Sequence, residues 1–252
     1  MIGMSSTDIC SIDPIEALDS ISRHFEHWEI FSEDLHDVSY MVDVKDSLES
    51  YDLSLSVHSP ISDTNIAAVN DRMRDATLRE MGVTFECANS LGAEMVVVHP
   101  GVYSLSVPNI RMRSIEMAKR SLVEIEAMGR EYGVRPVIEN MPRFPIMMGQ
   151  TPEEMRELLG STDLGFCFDI GHANTAGCID GFLNGFKRID HIHIHDNFGD
   201  RDAHMTIGDG SIDFVDVISK LKGYRGKYII ESKGLESAIS SKGMLLKILS
   251  TG

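Results

Sequence analysis

The chain has 252 residues, 42% of them hydrophobic, and its 23 Lys and Arg against 39 Asp and Glu give a formal charge of −16 at pH 7. That is a globular composition with an acidic surplus, which repels nucleic acid at long range unless a local basic patch or bound cations compensate. No apolar run approaches the ~20 residues of a membrane span, and the first residues lack a basic segment followed by an apolar one, so a cytoplasmic chain without a secretory leader is expected.

Short β-branched or apolar runs alternate with longer segments of helical periodicity along the whole chain, which signals parallel strands joined by helices. Eight strands are expected, at Ile2–Ser6, Trp28–Ser32, Leu53–His58, Met95–His99, Pro136–Asn140, Gly165–Asp169, His191–His195 and Tyr228–Glu231. Helices are expected at Ile15–Phe25, Asn65–Leu91, Ile110–Tyr132, Pro152–Leu159, Phe214–Leu221 and Ser237–Leu249. Gly133 stands where a C′ glycine would end the third of these, and Thr151-Pro152 offers a cap followed by proline at the first helical position. Between Glu33 and Leu53 only a short helix is expected. No linker, low-complexity tract or repeat beyond the βα rhythm divides the sequence, so one domain spanning residues 1–252 is expected. Eight βα units in a chain of this length match an α/β fold of the (β/α)₈ TIM-barrel type, whose site lies at the C-terminal ends of the strands. A doubly wound sheet would carry a Gly-rich turn after a strand, and none is present.

Six expected strands end in a residue able to hold a metal: His58, His99, Glu139, Asp169, His193 and Glu231. Their spacings of 41, 40, 30, 24 and 38 residues each span one βα repeat, so a barrel brings all six to one rim. Any one alone is explained by a loop hydrogen bond. Six crowded together are costly to desolvate without a cation. Asp169-Ile-Gly-His172 and Asp202-Ala-His204 add donors at spacings that suit bridging of neighbouring metals. In His191-Ile-His193-Ile-His195 the period of two sets the three imidazoles on one face; His193 is the ligand candidate, with His191 expected deeper in the barrel and His195 in the loop behind the ligands. Cys10, Cys87, Cys167 and Cys178 show no Cys-x-x-Cys spacing and fall outside the set, so they are expected to be reduced thiols. A His and carboxylate shell suits Zn²⁺, Mn²⁺, Co²⁺ or Fe²⁺.

The strings Val98-His99-Pro-Gly, Ile138-Glu139-Asn-Met-Pro, Phe168-Asp169-Ile-Gly-His172-Ala, His193-Ile-His-Asp-Asn and His204-Met-Thr-Ile-Gly-Asp-Gly-Ser-Ile-Asp-Phe resemble the xylose isomerase-like TIM-barrel superfamily. That group holds sugar phosphate isomerases and epimerases together with apurinic endonucleases of the endonuclease IV type. By motif the resemblance runs from Val57 to Glu231. It implies that Glu139, Asp169, His193 and Glu231 bind a metal shared across the superfamily, that His58 and His99 hold a second with Glu139 as bridge, and that His172, Asp202 and His204 hold a third, as in endonuclease IV. One to three divalent ions per chain are therefore expected.

The resemblance weakens at the parts that would read DNA. After His58 the loop is Ser59-Pro60-Ile61-Ser62-Asp63, where only Ile61 could act as a wedge, and the cations in the loops after the strands, Arg143, Arg201 and Lys233, stand singly. Scattered cations suit one phosphate or carboxylate of a small substrate better than a duplex. The expected function is a divalent-metal-dependent sugar or sugar-phosphate isomerase or epimerase. Glu139 and Glu231 would be the catalytic base and acid of an enediolate mechanism, and Arg143, Arg201 and Lys233 would bind substrate. The alternatives are an apurinic endonuclease acting on DNA with a three-metal cluster, and a non-catalytic barrel that binds a metal or sugar. A narrow mouth closed by the Arg143–Met148 loop would favour the small substrate, and an open crescent would favour DNA.

Overall fold

In the computed structural model, which describes residues 1–105, 108–160, 162–221 and 223–251, eight parallel strands close into a barrel in sequence order. They are β1 (Ile2–Ser5), β2 (His27–Phe31), β3 (Ser54–His58), β4 (Met95–Val98), β5 (Arg135–Glu139), β6 (Gly165–Asp169), β7 (His191–Ile194) and β8 (Tyr228–Ile230). Each strand end falls within one residue of the sequence expectation. The ring is closed by β8 against β1, with Ile2 opposite Tyr228 and Met4 opposite Ile230.

Among the described residues ten α-helices surround the barrel: α1 (Pro14–Ser22), α2 (Val38–Met41), α3 (Lys45–Glu49), α4 (Asp71–Ser90), α5 (Ile110–Tyr132), α6 (Pro152–Leu159), α7 (Ile170–Thr175), α8 (Ile179–Gly185), α9 (Phe214–Lys220) and α10 (Gly234–Thr251). Their ends follow the capping chemistry. Thr151 accepts from the Glu154 N–H ahead of Pro152, and Gly133 ends α5 at φ 69°, the left-handed geometry that favours glycine. Several expectations need correction. The first helix ends at Ser22 rather than Phe25, and two short helices, α2 and α3, stand between Glu33 and Leu53 where one was expected. The helix placed at Asn65–Leu91 begins only at Asp71, because the Asn70 side chain caps it and Asn65 instead accepts from the Ala67 and Val102 backbones to build a turn. The segment between β6 and β7 holds α7 and α8, which are too short for periodicity to reveal.

Outward-facing strand residues pack under the helices. Trp28, Ile30, Phe168, Ile192, Ile194 and Ile230 are fully buried with Leu18, Ile21, Phe85, Leu122 and Phe182, each worth about 1.5–3 kcal/mol of burial. The lumen is divided. Val97, Val137 and Cys167, with Met95 against them, form one apolar wall. The opposite wall is polar: His27 bridges the Ser54 and Ser56 hydroxyls, each at 2.8 Å, and Ser56 donates to Glu29 at 2.8 Å. Burial, with the charge of Lys227, pushes His27 down to about 3, so this wall carries a neutral imidazole. Among the described residues no helix is long and apolar enough to cross a membrane.

Candidate metal centre

The C-terminal ends of the strands bring the six expected side chains to one rim. Glu139 is central. Its Oε2 lies 3.2 Å from His58 Nε2 and 3.0 Å from His99 Nε2, and its Oε1 lies 2.9 Å from His193 Nδ1. Of the groups of donor atoms lying within 4.8 Å of one another, three hold the sequence candidates: His58, His99 and Glu139; Glu139, Asp169, His193 and Glu231; and His172, Asp202 and His204 together with His195. All nine sequence candidates are therefore brought together, and His195, which the resemblance did not include, joins the third group.

Hydrogen bonds behind the rim decide which atom each side chain presents. His58 Nδ1 faces the Ser59 carbonyl at 2.9 Å, His172 Nδ1 the Asn140 carbonyl at 2.8 Å and His204 Nδ1 the Glu231 carbonyl at 2.6 Å. A carbonyl only accepts, so Nδ1 carries the proton in each and Nε2 is left for the site. Asp169 is held from two sides. Its Oδ1 accepts from the His172 N–H at 2.5 Å as the cap of α7, and its backbone exchanges hydrogen bonds with the Asn140 side chain. Its Oδ2 is buried without a hydrogen-bond partner.

Burial opposes charge on Glu139, Asp169, His172 and His204, yet their neighbours hold them charged. His193, His58 and His99 hold the Glu139 carboxyl well below the usual range, and the His172 and His195 imidazoles hold Asp169 down in the same way. Reciprocally, Asp169 and Asp202 hold His172 well above the ordinary imidazole value, and Asp202 holds His204 up at about 9. At His99, by contrast, burial prevails and pushes the pKa down. Protons on the imidazoles balance the carboxylates where a divalent cation would otherwise do so. The donor set fits such an ion: oxygen and imidazole nitrogen converge, and Asp169 Oδ2 and both His195 nitrogens are unpartnered inside the wall.

The sequence left all four cysteines outside this set, and one of them stands close to it. Cys167 Sγ lies within 4.8 Å of donor atoms of Glu139 and His193, but burial raises its pKa well above 9.0, so it stands there as a thiol. Two further side chains went unassigned. Glu29, fully buried on β2, lies 2.8 Å from His193 Nε2, off the line of an ideal hydrogen bond, and 2.7 Å from His191 Nε2. A carboxylate between Trp28 and Ile30 in a buried strand was the available signal. Asp196 accepts from the Gly208, Gly210 and Ile212 backbones and folds the loop after β7 that carries Asp202 and His204.

Arg143, Arg201 and Lys233 are exposed on loops after β5, β7 and β8, and no ion pair holds any of them among the described residues. The Arg143–Met148 loop is stitched to the loop after β4, with Tyr103 N donating to Ile146 O at 2.8 Å and Met148 N to Gly101 O at 3.3 Å. Gly101 sits at φ 98°, and a Cβ there would strike Ala67 and Asn65. Ile61 flanks a recess beside His99 of about 90 Å³. On the neighbouring rim Glu33, Asp34, Asp37, Asp63 and Glu80 line a recess of about 350 Å³, and Glu33 fastens the Ile61 loop by accepting from the Ile61 and Ser62 N–H groups, each at 2.7 Å.

The model of the xylose isomerase-like TIM barrel family matches residues 18–247. An uncharacterized protein of Methanocaldococcus jannaschii is 36% identical over 98% of this chain and 88% of its own. The crystal structure of a D-tagatose 3-epimerase-like protein is 35% identical, with a TM-score of 0.91 over 99% of this chain and 97% of that one. A probable endonuclease 4 of Mycobacterium leprae is 27% identical over 70% of this chain and 72% of its own.

Proposed function

Since the chain belongs to the xylose isomerase-like TIM barrel family, we propose that it is a divalent-metal-dependent isomerase or epimerase of a sugar or sugar phosphate. The observation that carries this reading is the buried convergence of Glu139, Asp169, His193 and Glu231, supported by likeness to the epimerase-like structure. A cation held there would polarise a sugar carbonyl and its adjacent hydroxyl. Glu139 and Glu231 come from β5 and from the residue after β8, and would take a proton from the carbon beside the carbonyl and return one. His193 would keep the Glu139 carboxylate charged, and Thr7, which donates to Glu231 Oε1 at 3.3 Å, would orient the second. Arg143, Arg201 and Lys233 are free to meet an anionic group of the substrate.

The second reading, an apurinic endonuclease, is favoured by the complete set of three donor groups and the endonuclease 4 relatives. The acidic recess on the rim counts against it, because a duplex would bring its phosphates against Glu33, Asp34 and Asp63. The test is solvent deuterium exchange into ketoses and ketose phosphates. Unmutated protein with excess Mn²⁺ or Zn²⁺ is expected to exchange the α-proton, and Glu231→Gln to lose ~10² to 10⁴ of that rate. Protein that exchanges no sugar proton but nicks an abasic duplex would establish the second reading instead.

A further inference from the structure

His195, which the sequence places behind the ligands, is the donor for which the nine-residue partition has no use. It has no exposed surface, and neither ring nitrogen has a hydrogen-bond partner. An imidazole always carries at least one N–H donor, and leaving both ring nitrogens unmet in a buried wall is unfavourable unless something else meets them. The ring is built into place. It lies on Gly171, where a Cβ would fall inside the imidazole, and it stacks on His204 with centroids 4.0 Å apart and planes at 13°. Its Nε2 stands 3.4 Å from Asp202 Oδ1 and 3.4 Å from Asp169 Oδ1, aligned for a hydrogen bond to neither.

The rest of the group has matching separations. Asp202 Oδ2 lies 3.2 Å from His172 Nε2 and 3.2 Å from His204 Nε2, and one donor atom from each of the four residues falls within 4.8 Å of the others. With zinc–ligand bonds of 2.0–2.2 Å, the edge of a coordination tetrahedron is ~3.3 Å. The two separations from Asp202 Oδ2 have about that length, and His195 Nε2 stands 3.4 Å from the other oxygen of the same carboxylate. The backbone of His204 also adopts φ 46°, in the left-handed region that few residues other than glycine enter.

We propose that His195 is the fourth protein ligand of a closed site, formed with His172, Asp202 and His204, that fastens the loop after β7 to the barrel rather than receiving substrate. The inference rests on the metal-centre reading above and changes what its outer ion can do. Three protein ligands leave a position open for water or a phosphate oxygen; four leave none. His172 comes from α7, His195 from the end of β7, and Asp202 and His204 from the loop beyond, so an ion there would cross-link three segments.

The test uses Co²⁺ as the probe on the full chain, with metal content measured and inorganic phosphate titrated in. The unmutated protein is expected to show the strong visible absorption of tetrahedral Co²⁺, and the part of it that Asp202→Asn removes is expected to be unchanged by phosphate. His195→Asn is expected to bind that ion roughly 10- to 100-fold more weakly, the range for loss of a metal-site partner, with a weaker band that now responds to phosphate and a lower melting temperature only in the loaded form. A phosphate-sensitive band in the unmutated protein that Asp202→Asn abolishes overturns the proposal even if the His195 variant does not fold. So does a His195→Asn protein with unchanged affinity and spectrum. Protein that takes up no cation at all overturns the metal-centre reading and this inference with it, whereas protein that loads the Glu139 group but whose Asp202-dependent band responds to phosphate overturns this inference alone.

Discussion

The Glu139 group and the His172 group lie side by side on one rim but are built by different means. Glu139, Asp169, His193 and Glu231 stand at or beside strand ends and are 1%, 0%, 0% and 6% exposed. Ladder register places them: Glu139 is opposite Cys167 and Asp169 is opposite His193. The other group stands on α7 and on the end and far loop of β7, and the Asp202 and His204 side chains are 26% and 21% exposed. Its members depend on local devices, namely the Asn140 and Glu231 carbonyls, the Asp196 loop clamp and the strained backbone of His204. One group is a consequence of closing the barrel, and the other is a consequence of how two connecting segments are folded. Each should therefore fail separately.

The largest effect that tests this separation is at Glu139, which touches His58, His99, His193 and, at 3.4 Å, His172. Glu139→Ala is expected to empty the strand group, lowering sugar proton exchange by ~10² to 10⁴ or more, while elemental analysis still finds the loop group's ion. Loss of all metal at once would mean that the two groups form a single cooperative unit.

Glu29 sharpens the comparison from below. It lies under the strand group alone, against His193, His191 and Ser56. Glu29→Leu keeps the wall filled but removes the carboxylate behind His193. Chelator competition is expected to show the strand group's ion bound ~10- to 100-fold more weakly, with the loop group's affinity unchanged. Equal weakening of both, or of neither, would remove the distinction.

The same division explains what could be seen in the sequence. Strand-end donors are legible because β-ladders repeat with period two and βα units with a regular length, so His58, His99, Glu139, Asp169, His193 and Glu231 announce a rim before any coordinates. His172, Asp202 and His204 were legible only as short motifs helped by resemblance. Glu29 was not, because a carboxylate in mid-strand gives no sign of which imidazoles the curvature of a barrel brings to it. Nor was α7, since Asp169 ends a strand, caps a helix and offers Oδ2 to the centre with one side chain. His195 shares the face of His193, but its burial on Gly171 is a three-dimensional fact. Cys167 came close to the centre for a similar reason, being paired with Glu139 across β5 and β6.

The smallest effect concerns pH and distinguishes the metal-free protein from the loaded one. Asp202 holds His204 at about 9 against an ordinary 6.5, despite its burial, so the fold binds this proton more tightly than the unfolded chain does. The resulting stabilisation is complete below about pH 6.5, declines as pH rises, and is gone above about 9. Partial exposure reduces it to about 1–2 kcal/mol, which for a chain of this length lowers the melting temperature by roughly 4 °C. His172 and His193 are shifted upward in the same sense and extend the decline. His27, pushed down to about 3, acts on the other limb: its contribution is present above 6.5 and is lost as pH falls toward 3. In the loaded protein the imidazoles bind as neutral ligands, and a cation that displaces their protons binds more tightly as pH rises. Between pH 6.5 and 9 the metal-free melting temperature is therefore expected to fall while the loaded one holds, and His204→Ala should flatten the metal-free slope. A metal-free melting temperature that stays level or rises across that interval would show that Asp202 and His204 do not share a proton in the fold, and the loop group would then lack the charge balance that a cation is proposed to replace.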